Sequence, residues 1–335
     1  MSSRSLRKTV AVTLGDPAGI GPEIALKACD DERIRHSMRI VLFGDPRALE
    51  EHARRCGLTT QYRTLAHLSE IDSEDDRPAL VPVRSLDETF RIGEVTASSG
   101  AATIATLDAA IDAAREGWVD AVVGAPIHEV AIKQAGIAFD GHPSYLARRT
   151  GTPVDEVVLM LCWEKKRVAH VTVHLSLRNA LAMITEERVK KVIRTTALAL
   201  RNLGIKTPRI GVSGLNPHAG ESGLFGREEI EIIAPALDEL RGDDLELIGP
   251  IGADTLLPRI DCDAFVVMLH DQGHVAARMA APNMTAALAL GTPVMFSSVG
   301  HGTAMDVAGK GVANPEAMIL ALLHVTNTYP AGEAQ

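Results

Sequence analysis

Short apolar runs that end in glycine- or proline-containing turns recur along the chain, and segments with apolar residues at helical spacing follow them. Such runs are typical of buried strands, and the spaced segments predict amphipathic helices. The predicted strands include Thr9–Leu14, Arg39–Phe43, Asp120–Gly124, Arg209–Ser213 and Ala264–Leu269, and the predicted helices include Ala48–Cys56, Thr103–Arg115, Glu186–Leu203 and Arg227–Leu240. This alternation predicts an α/β protein with mostly parallel sheets.

Three histidines follow apolar runs in this pattern. The run Ala264–Leu269 ends in His270-Asp271-Gln272-Gly273-His274, His174 closes the run RVAHVTVH, and His218 lies just beyond RIGVSGLNPHAG. Open α/β sheets bind ligands at the carboxyl ends of their strands. Imidazole suits zinc, cobalt, nickel, manganese or iron, and three protein ligands leave coordination positions open. The pattern predicts a metal site built from His174, His218 and His270.

Several polar side chains near these histidines are candidates for further roles. Asp271 and Asp254 can orient histidine N–H groups or act as bases, and His274 can be a fourth ligand or a substrate contact. His142 opens a predicted helix whose N-terminus suits an anionic substrate. The alternative is a structural role for these histidines, because an isolated strand-end histidine is more often a hydrogen-bonded structural residue. Sequence spacing alone does not bring the histidines together.

Composition narrows the class of ligand. The formal charge is −9 and aromatic residues make up 3% of the chain, which argues against duplex and single-strand nucleic acids as partners. The four cysteines form no C-x-x-C pair, so a thiolate zinc site and a disulfide framework are disfavoured. The segment MSSRSLRKTV is too polar for a signal peptide, and no apolar run reaches the roughly 18 residues of a membrane helix. We expect a cytoplasmic protein with a small ligand and no membrane partner.

Seven motifs occur in the order found in the 4-hydroxythreonine-4-phosphate dehydrogenase family: GDPAGIGPEI, GIAFDGH, VTVHLSL, GLNPHAGESGLFGREE, GPIGADT, MLHDQG and SVGHGTAMDVAGKG. The chain resembles that family from about Val10 to Gly311. The resemblance implies that His174, His218 and His270 bind a divalent metal shared between the two subunits of a homodimer. Zinc is favoured, with cobalt, manganese, iron or magnesium as alternatives.

The resemblance also implies a fold. It is the two-lobed α/β fold of isocitrate and isopropylmalate dehydrogenases, in which the two ends of the chain share one lobe. We expect an NAD-side lobe of residues 1–128 plus 291–335. The metal, substrate and dimerisation lobe then comprises residues 129–290.

The segment HGTAMDVAGKGVANPEAMIL, His301–Leu320, is similar to the adenosine-binding loop of the NAD-linked decarboxylating dehydrogenases. This similarity implies NAD as cofactor, with Asp306 accepting a hydrogen bond from the ribose and repelling the 2′-phosphate of NADP. The implied cofactor residues are His301, Gly302, Thr303, Asp306 and Asn314. By its residues alone, Thr303-x-x-Asp306 is equally a capping box that starts a helix.

Several residues differ from those of the biosynthetic members of the family, and these differences change the expected substrate. The biosynthetic enzymes have threonine where this chain has Pro143, and their phosphate-side lysine, asparagine and arginine fall on Arg278, Ala287 and Phe296. Two of those replacements remove polar partners that a buried phosphate needs. The motifs HDQGH, MAAPN and SSVGHGTAMD instead resemble the terephthalate dihydrodiol dehydrogenase branch. That resemblance implies a small anionic substrate contacted by His142, Arg278 and His274.

The sequence therefore predicts an NAD-dependent and divalent-metal-dependent oxidative decarboxylation of a hydroxy acid. The substrate favoured is 1,2-dihydroxy-3,5-cyclohexadiene-1,4-dicarboxylate, a terephthalate cis-dihydrodiol, with protocatechuate and carbon dioxide as products. One alternative is 4-hydroxythreonine-4-phosphate dehydrogenase of pyridoxal phosphate biosynthesis, or a dehydrogenase of a related phosphorylated sugar acid. An alternative of another class is a non-catalytic module that binds metal or anions.

Overall fold

The computed structural model describes residues 7–71, 75, 77–242, 244–282 and 284–328. The chain divides into two compact units, residues 1–152 with 292–335 and residues 153–291. The strands are β1 (Lys8–Thr13), β2 (Met38–Gly44), β3 (Arg63–Thr64), β4 (Ala79–Pro82), β5 (Ala121–Gly124), β6 (Val158–Trp163), β7 (Lys166–His170), β8 (Arg209–Ser213), β9 (Glu246–Ile251), β10 (Ala264–Val267), β11 (Ala286–Leu290) and β12 (Phe296–Val299). The α-helices are α1 (Gly21–Asp30), α2 (Glu32–Arg35), α3 (Pro46–Cys56), α4 (Ala97–Arg115), α5 (Glu129–Gln134), α6 (His142–Thr150), α7 (Leu177–Met183), α8 (Glu186–Asn202), α9 (Ala234–Leu240), α10 (Ala253–Leu256), α11 (His270–Ala280) and α12 (Glu316–Thr326).

The first unit has a parallel sheet with strand order β3-β4-β2-β1-β5-β12. Helix α4 packs against β1, β2 and β5, and α12 packs against β5 and β12. The central strands are apolar along their whole length because helices cover them; Val10, Ala11 and Val12 of β1 are at most 1% exposed. The chain from β12 to α12 contains the predicted cofactor loop.

The second unit contains the strand order β11-β6-β7-β10-β8-β9. Strand β6 runs antiparallel to both β11 and β7, whereas β7, β10, β8 and β9 are mutually parallel. The carboxyl ends of the parallel strands therefore share one edge of the sheet. All three predicted metal ligands follow strands of this unit.

The mostly parallel α/β class is confirmed, and the local differences have physical reasons. Strand β7 ends at His170, not at His174, because the chain turns there into a loop that precedes α7. The predicted helix Arg227–Leu240 begins as a π-helix, Glu229–Ile233, before it becomes α9. The two-lobed arrangement and its predicted boundaries stay a prediction. Across the described ranges, no helix is long and apolar enough to span a bilayer.

Candidate functional site

The carboxyl ends of β7 and β10 bring two predicted metal ligands side by side. The two strands pair in parallel, so the segments that follow them leave the sheet together. Beyond the strands, the Thr172 hydroxyl donates to the Met268 carbonyl at 2.8 Å. The ring centroids of His174 and His270 lie 5.8 Å apart as a result.

His270 is the first residue of α11, and its ring is fixed on two sides. Its Nδ1 donates to Asp271 Oδ1 at 2.6 Å. Its ring stacks on His274, with centroids 3.6 Å apart and an interplanar angle of 11°. Because Nδ1 faces a carboxylate, the lone pair resides on Nε2, which is the arrangement found in histidines that bind metals. Asp271 thus orients the histidine that it follows in sequence.

His170, which the sequence did not single out, extends this row of imidazoles. Its ring centroid lies 4.9 Å from that of His274. Its Nδ1 donates to the Leu159 carbonyl at 3.2 Å, and its buried Nε2 has no partner among the described residues. Burial lowers the pKa of His170 to about 3 and that of His274 to about 4, in both cases reinforced by neighbouring histidines. Both rings are therefore neutral at physiological pH.

Gln272 connects the first turn of α11 to the loop that carries His218. Its Oε1 accepts from the backbone N–H groups of Met268 and Leu269 at 2.9 and 3.0 Å. Its Nε2 donates to the Gly214 carbonyl at 3.0 Å. One side chain therefore ties the segment that follows β10 to the segment that follows β8.

His218 lies in a turn of unusual handedness. Residues 218–222 have φ between 42° and 80°, which is a left-handed turn of five consecutive residues. For residues other than glycine, this conformation costs roughly 1–2 kcal/mol each. The His218 side chain is 69% exposed, with Glu221 Oε2 at 3.4 Å from Nδ1 and the Phe225 ring centroid 6.0 Å from its own. Backbone strain of this kind concentrates at functional sites.

A single chain places two of the three predicted metal ligands side by side. The potential ligand atoms of His174, His218 and His270 do not all lie within 4.8 Å of one another. His174 and His270 are neighbours, whereas His218 points into solvent from its own loop. The three-histidine site stays a prediction, and the resemblance implies that a second subunit completes it.

Within the part of the chain that the structure describes, one acidic trio has its carboxylate oxygens within 4.8 Å of one another. It consists of Glu186, Glu187 and Glu239. Lys190 Nζ contacts all three carboxylates, at 3.1, 2.5 and 2.5 Å. The ammonium group already supplies the positive charge, so this trio is a salt-bridge cluster and not a metal site.

A buried carboxylate organises the left-handed turn. Glu229 is 3% exposed, and its Oε1 accepts from the backbone N–H groups of Leu215 and Asn216, both at 2.7 Å. Its Oε2 accepts from Asn216 Nδ2 at 2.9 Å. A Cβ on Gly220 would lie 2.7 Å from the same Oε2. Glu229 was not among the residues predicted from the sequence, although the acidic pair Glu228-Glu229 after a glycine-rich loop is a visible signal.

The two predicted catalytic carboxylates accompany different histidines. Asp271 contacts His270. Asp254, in the first turn of α10, lies beside the loop of His218: a Cβ on Gly252 would be 2.8 Å from Asp254 Oδ1 and 3.8 Å from His218 Cα. Each candidate base is therefore placed with a predicted metal ligand.

The paired histidines line a pocket of about 530 Å³. Its polar side chains include His174, His270 and Asp271. Its lining residues are Thr172, Val173, His174, Leu175, Leu177, Ala180, Leu269, His270 and Asp271. An apolar pocket with a few convergent polar groups is the usual form of a small-molecule site.

The predicted substrate residues lie in both units. In the first unit, the His142 ring packs between Phe296 and Phe139, with centroids 5.1 and 5.5 Å away, and burial lowers the pKa of His142 to about 4. Phe296 itself is 1% exposed, so it supports His142 and does not offer its own face to a ligand. In the second unit, Arg278 is an exposed residue one turn beyond His274 on α11.

All five predicted cofactor residues lie in the segment 300–315, between β12 and α12. Thr303 is buried, whereas Asp306 is exposed. His301 Nδ1 donates to the Gly302 carbonyl, and its buried Nε2 has no partner among the described residues. Asn314 Oδ1 accepts from the backbone N–H of Glu316, at the start of α12.

The capping-box alternative for Thr303-x-x-Asp306 is wrong. Residues 305–309 form turns, and the next helix, α12, begins ten residues beyond Asp306 at Glu316. Ala304 has a left-handed φ of 43°, which a helical N-terminus does not contain. Asp306 is thus an exposed acid within an irregular loop.

An α/β sheet that holds paired histidines and a pocket at the carboxyl ends of its parallel strands is the architecture of a small-molecule enzyme. The chain matches the family of the pyridoxal phosphate biosynthetic protein PdxA over residues 36–325 and belongs to that family.

Individual relatives in the family have different names. The 1,2-dihydroxy-3,5-cyclohexadiene-1,4-dicarboxylate dehydrogenase of Comamonas sp is 41% identical over 314 residues, which cover 94% of this chain and 96% of that protein. The 4-hydroxythreonine-4-phosphate dehydrogenase of Chromobacterium violaceum is 41% identical over 327 residues, covering 94% and 95%. The solved structure of the 4-hydroxythreonine-4-phosphate dehydrogenase from Klebsiella pneumoniae matches with a TM-score of 0.86 at 34% identity, covering 97% of this chain and 99% of that one. The predicted family is confirmed.

Proposed function

We propose that this protein is an NAD-dependent, divalent-metal-dependent dehydrogenase that oxidises and decarboxylates 1,2-dihydroxy-3,5-cyclohexadiene-1,4-dicarboxylate. The observation that carries the proposal is the pocket lined by His174, His270 and Asp271, in a chain 41% identical to a protein named as the dehydrogenase of that compound. Hydride leaves the substrate carbinol carbon for NAD, and the hydroxyl proton is released. Loss of carbon dioxide then gives protocatechuate.

The donors present fit a divalent metal. His270 offers Nε2 because Asp271 holds its Nδ1–H, and His174 lies beside it. Neutral imidazoles favour zinc, with cobalt, manganese, iron or magnesium as alternatives. A divalent metal, when bound, supplies the Lewis acidity that lowers the pKa of a substrate hydroxyl. We propose His218 as the third ligand, contributed by a second subunit.

The chain's own residues have separate tasks in this proposal. Asp271 orients His270 and lines the pocket, which makes it the first choice to take the hydroxyl proton. Asp254, beside the loop of His218, is the second choice. His142, His274 and Arg278 bind the anionic substrate, with Arg278 suited to a carboxylate.

Two positions, at which this chain lacks the polar residue of the biosynthetic enzymes, support a dicarboxylate substrate over a phosphate ester. Phe296 is 1% exposed and packs on His142. Ala287 packs against an apolar cluster of the second unit. Neither position can donate a hydrogen bond, so a phosphate there would lose two of its polar partners.

The phosphate enzyme is the second candidate, because a 4-hydroxythreonine-4-phosphate dehydrogenase is as similar to this chain as the dihydrodiol enzyme is. The purified protein should be assayed for NADH formation on the dihydrodiol dicarboxylate and on 4-hydroxythreonine-4-phosphate. We expect NADH and carbon dioxide in equal amounts from the dihydrodiol. Turnover of the phosphate ester alone would refute the proposed substrate, and NAD binding without any turnover would support the non-catalytic module.

We propose NAD as the cofactor, held by His301, Gly302, Thr303, Asp306 and Asn314. The unpartnered Nε2 of His301 and the exposed carboxylate of Asp306 are groups that an adenosine can satisfy. The variant Asp306→Lys should shift the preference toward NADP about tenfold, because it replaces repulsion of the 2′-phosphate with attraction. An unchanged NAD to NADP ratio of kcat/KM would remove Asp306 from the cofactor site.

We further propose a homodimer with a metal site shared across its interface. Large apolar side chains are exposed on and beside α7 and next to His218; they are Leu175, Leu177, Leu181, Met183, Leu224 and Phe225. Patches of this kind mark protein interfaces. Light scattering on wild type and on Leu177→Asp tests the dimer: we expect a dimer that the substitution weakens.

We also propose the two-lobed dehydrogenase fold, which the division into two compact units supports. We propose a cytoplasmic location, which the four free cysteines support.

A further inference from the structure

The segment 300–315 is attached to the helix that follows the first glycine-rich turn. Ile20 N–H donates to the Thr303 carbonyl at 2.9 Å. A Cβ on Gly19 would lie 2.7 Å from the same carbonyl oxygen and 2.8 Å from Thr303 Cβ. Only glycine permits this close approach, so the GDPAGIG turn supports the start of the loop.

An ion pair on α1, between the buried Glu23 and the half-buried Lys27, attaches the other end of the loop. Lys27 Nζ donates to Glu23 Oε1 at 2.8 Å and to the carbonyls of Gly311 and Ala313 at 2.9 and 2.7 Å. Glu23 Oε1 also accepts from the Ala313 N–H at 2.8 Å. All three ammonium hydrogens are used, and two of them hold the loop.

Glu23 is 0% exposed, so its charge needs compensation. Burial alone would raise the pKa of Glu23, but hydrogen bonds from Lys27, from the Ala313 N–H and from the Cys56 thiol lower it below its ordinary value. The carboxylate is therefore ionised at neutral pH. A buried ion pair of this kind is a costly way to gain stability, whereas it can fix one geometry well.

We propose that Glu23 and Lys27 are positioning residues for the dinucleotide, because they hold the cofactor loop in its binding geometry before the cofactor arrives. The inference rests on the proposed function of that loop. Neither side chain needs to touch the cofactor. A loop ordered in advance binds more tightly because its ordering does not reduce the binding free energy.

Lys27→Met is the direct test, since methionine keeps most of the apolar stem and removes every donor. NAD binding is measured by calorimetry, and hydrogen exchange of peptides from residues 300–315 is measured without NAD. We expect the Kd for NAD to rise about tenfold, exchange in the loop to accelerate, and kcat and the KM for the hydroxy acid to stay within about twofold. Lys27→Arg, which keeps the charge and donors, should recover most of the affinity.

Arg149→Met is the matched control. Arg149 forms an ion pair with Asp108 and Asp112 of α4 in the same unit and not with the loop segment, so its loss should leave NAD binding unchanged. A folded Lys27→Met variant that binds NAD like wild type overturns the inference while the proposed function stands. A wild-type protein that does not bind NAD overturns the proposed function itself.

Discussion

The proposed cofactor loop in the first unit and the proposed histidine site in the second differ in how much of each a single chain supplies. The loop segment 300–315 is held by Ile20, by Lys27 and, just beyond it, by a bidentate ion pair between Arg33 and Glu316 at 2.8 and 2.9 Å. The histidine site has two neighbouring rings, while His218 is 69% exposed on a left-handed turn. One region is therefore preorganised within the chain, and the other is the one that we propose a second subunit completes.

The two regions also differ in the kind of free-energy cost that their geometry carries. Around His218 the cost is backbone strain over residues 218–222, offset by the three hydrogen bonds to Glu229. Beside the loop the cost is electrostatic, in the buried charge of Glu23 and in Asp16, which is 0% exposed. Strain that the surrounding structure must maintain is typical of residues whose geometry a ligand requires.

Subunit complementation gives the largest expected effect and tests the incomplete histidine site directly. His218→Ala and His270→Ala should each lower turnover by at least about a thousandfold, as expected when a metal ligand is lost. Mixing the two variants after partial unfolding should restore about one quarter of wild-type activity, because about half of the dimers are then mixed and each mixed dimer contains one intact site of two. If every ligand came from one chain, mixing would restore nothing.

Glu229→Gln is the next test, since it loosens the turn that carries His218 without removing a predicted ligand. The amide oxygen can still accept both backbone hydrogen bonds that Oε1 now accepts, but the amide NH2 group would then face the Asn216 Nδ2 donor, which now bonds to Oε2. We expect metal affinity, measured by calorimetry, to fall by about ten- to a hundredfold, as for other groups that orient ligands. Glu228→Gln is the control, because Glu228, a half-buried residue just before the same helix, contacts the Asn216 side chain but not the backbone N–H groups of Leu215 and Asn216. Equal effects of the two substitutions would remove the special role of Glu229.

The sequence predicted the parallel sheet and the family, because both depend on local pattern: apolar runs followed by turns, and motifs in a fixed order. It also pointed to the ends of β7 and β10, where His174 and His270 lie 5.8 Å apart. It did not predict the left-handed turn at His218 or the π-helix at Glu229–Ile233. The turn is accompanied by hydrogen bonds from Leu215 and Asn216 to Glu229, which lies 14 and 13 positions further on, and periodicity does not encode such contacts.

The role of His170 was hidden for a related reason. It ends a buried strand as an apolar residue would, and only the folded chain shows its ring beside His274 and its unpartnered Nε2. Likewise, Glu23 and Lys27 fit an ordinary i,i+4 pair on a helix. Their contact with Gly311 and Ala313 connects segments almost the whole chain apart.

Substitution of Asp16, in the GDPAGIG turn, measures the free-energy cost of burying a carboxylate there. Burial raises the pKa of Asp16 from 3.8 to about 6, against hydrogen bonds from the Ala18 N–H and the Ser99 hydroxyl. The folded protein therefore binds this proton more tightly than the unfolded chain. Stability is favoured below about pH 4 and falls as the pH rises through about 6, by at most about 3 kcal/mol.

Asp16→Asn should remove that dependence, because the amide oxygen still accepts from Ala18. Unfolding free energies at about pH 5 and about pH 8 check this, and we expect the variant to gain stability over wild type at the higher pH by about 2 kcal/mol. A variant that loses stability equally at both values would show that the carboxylate is needed in its charged form. The ionised carboxylate would then stabilise the folded protein instead of costing it stability.

The smallest expected effect comes from a single methyl group in the loop, and it separates the ligand from the fold. A Cβ on Gly302 meets no atom within 4 Å, whereas a Cβ on Gly19 meets the Thr303 backbone. Gly302→Ala should therefore leave thermal stability within about 0.5 kcal/mol of wild type and raise the Kd for NAD about fivefold, because only a bound dinucleotide contacts the added methyl group. Gly19→Ala should lower stability by about 1–3 kcal/mol as well as NAD affinity, since the clash is within the protein. Calorimetric titration and thermal unfolding of both variants give the answer: if Gly302→Ala binds NAD like wild type, the dinucleotide does not pass over Gly302.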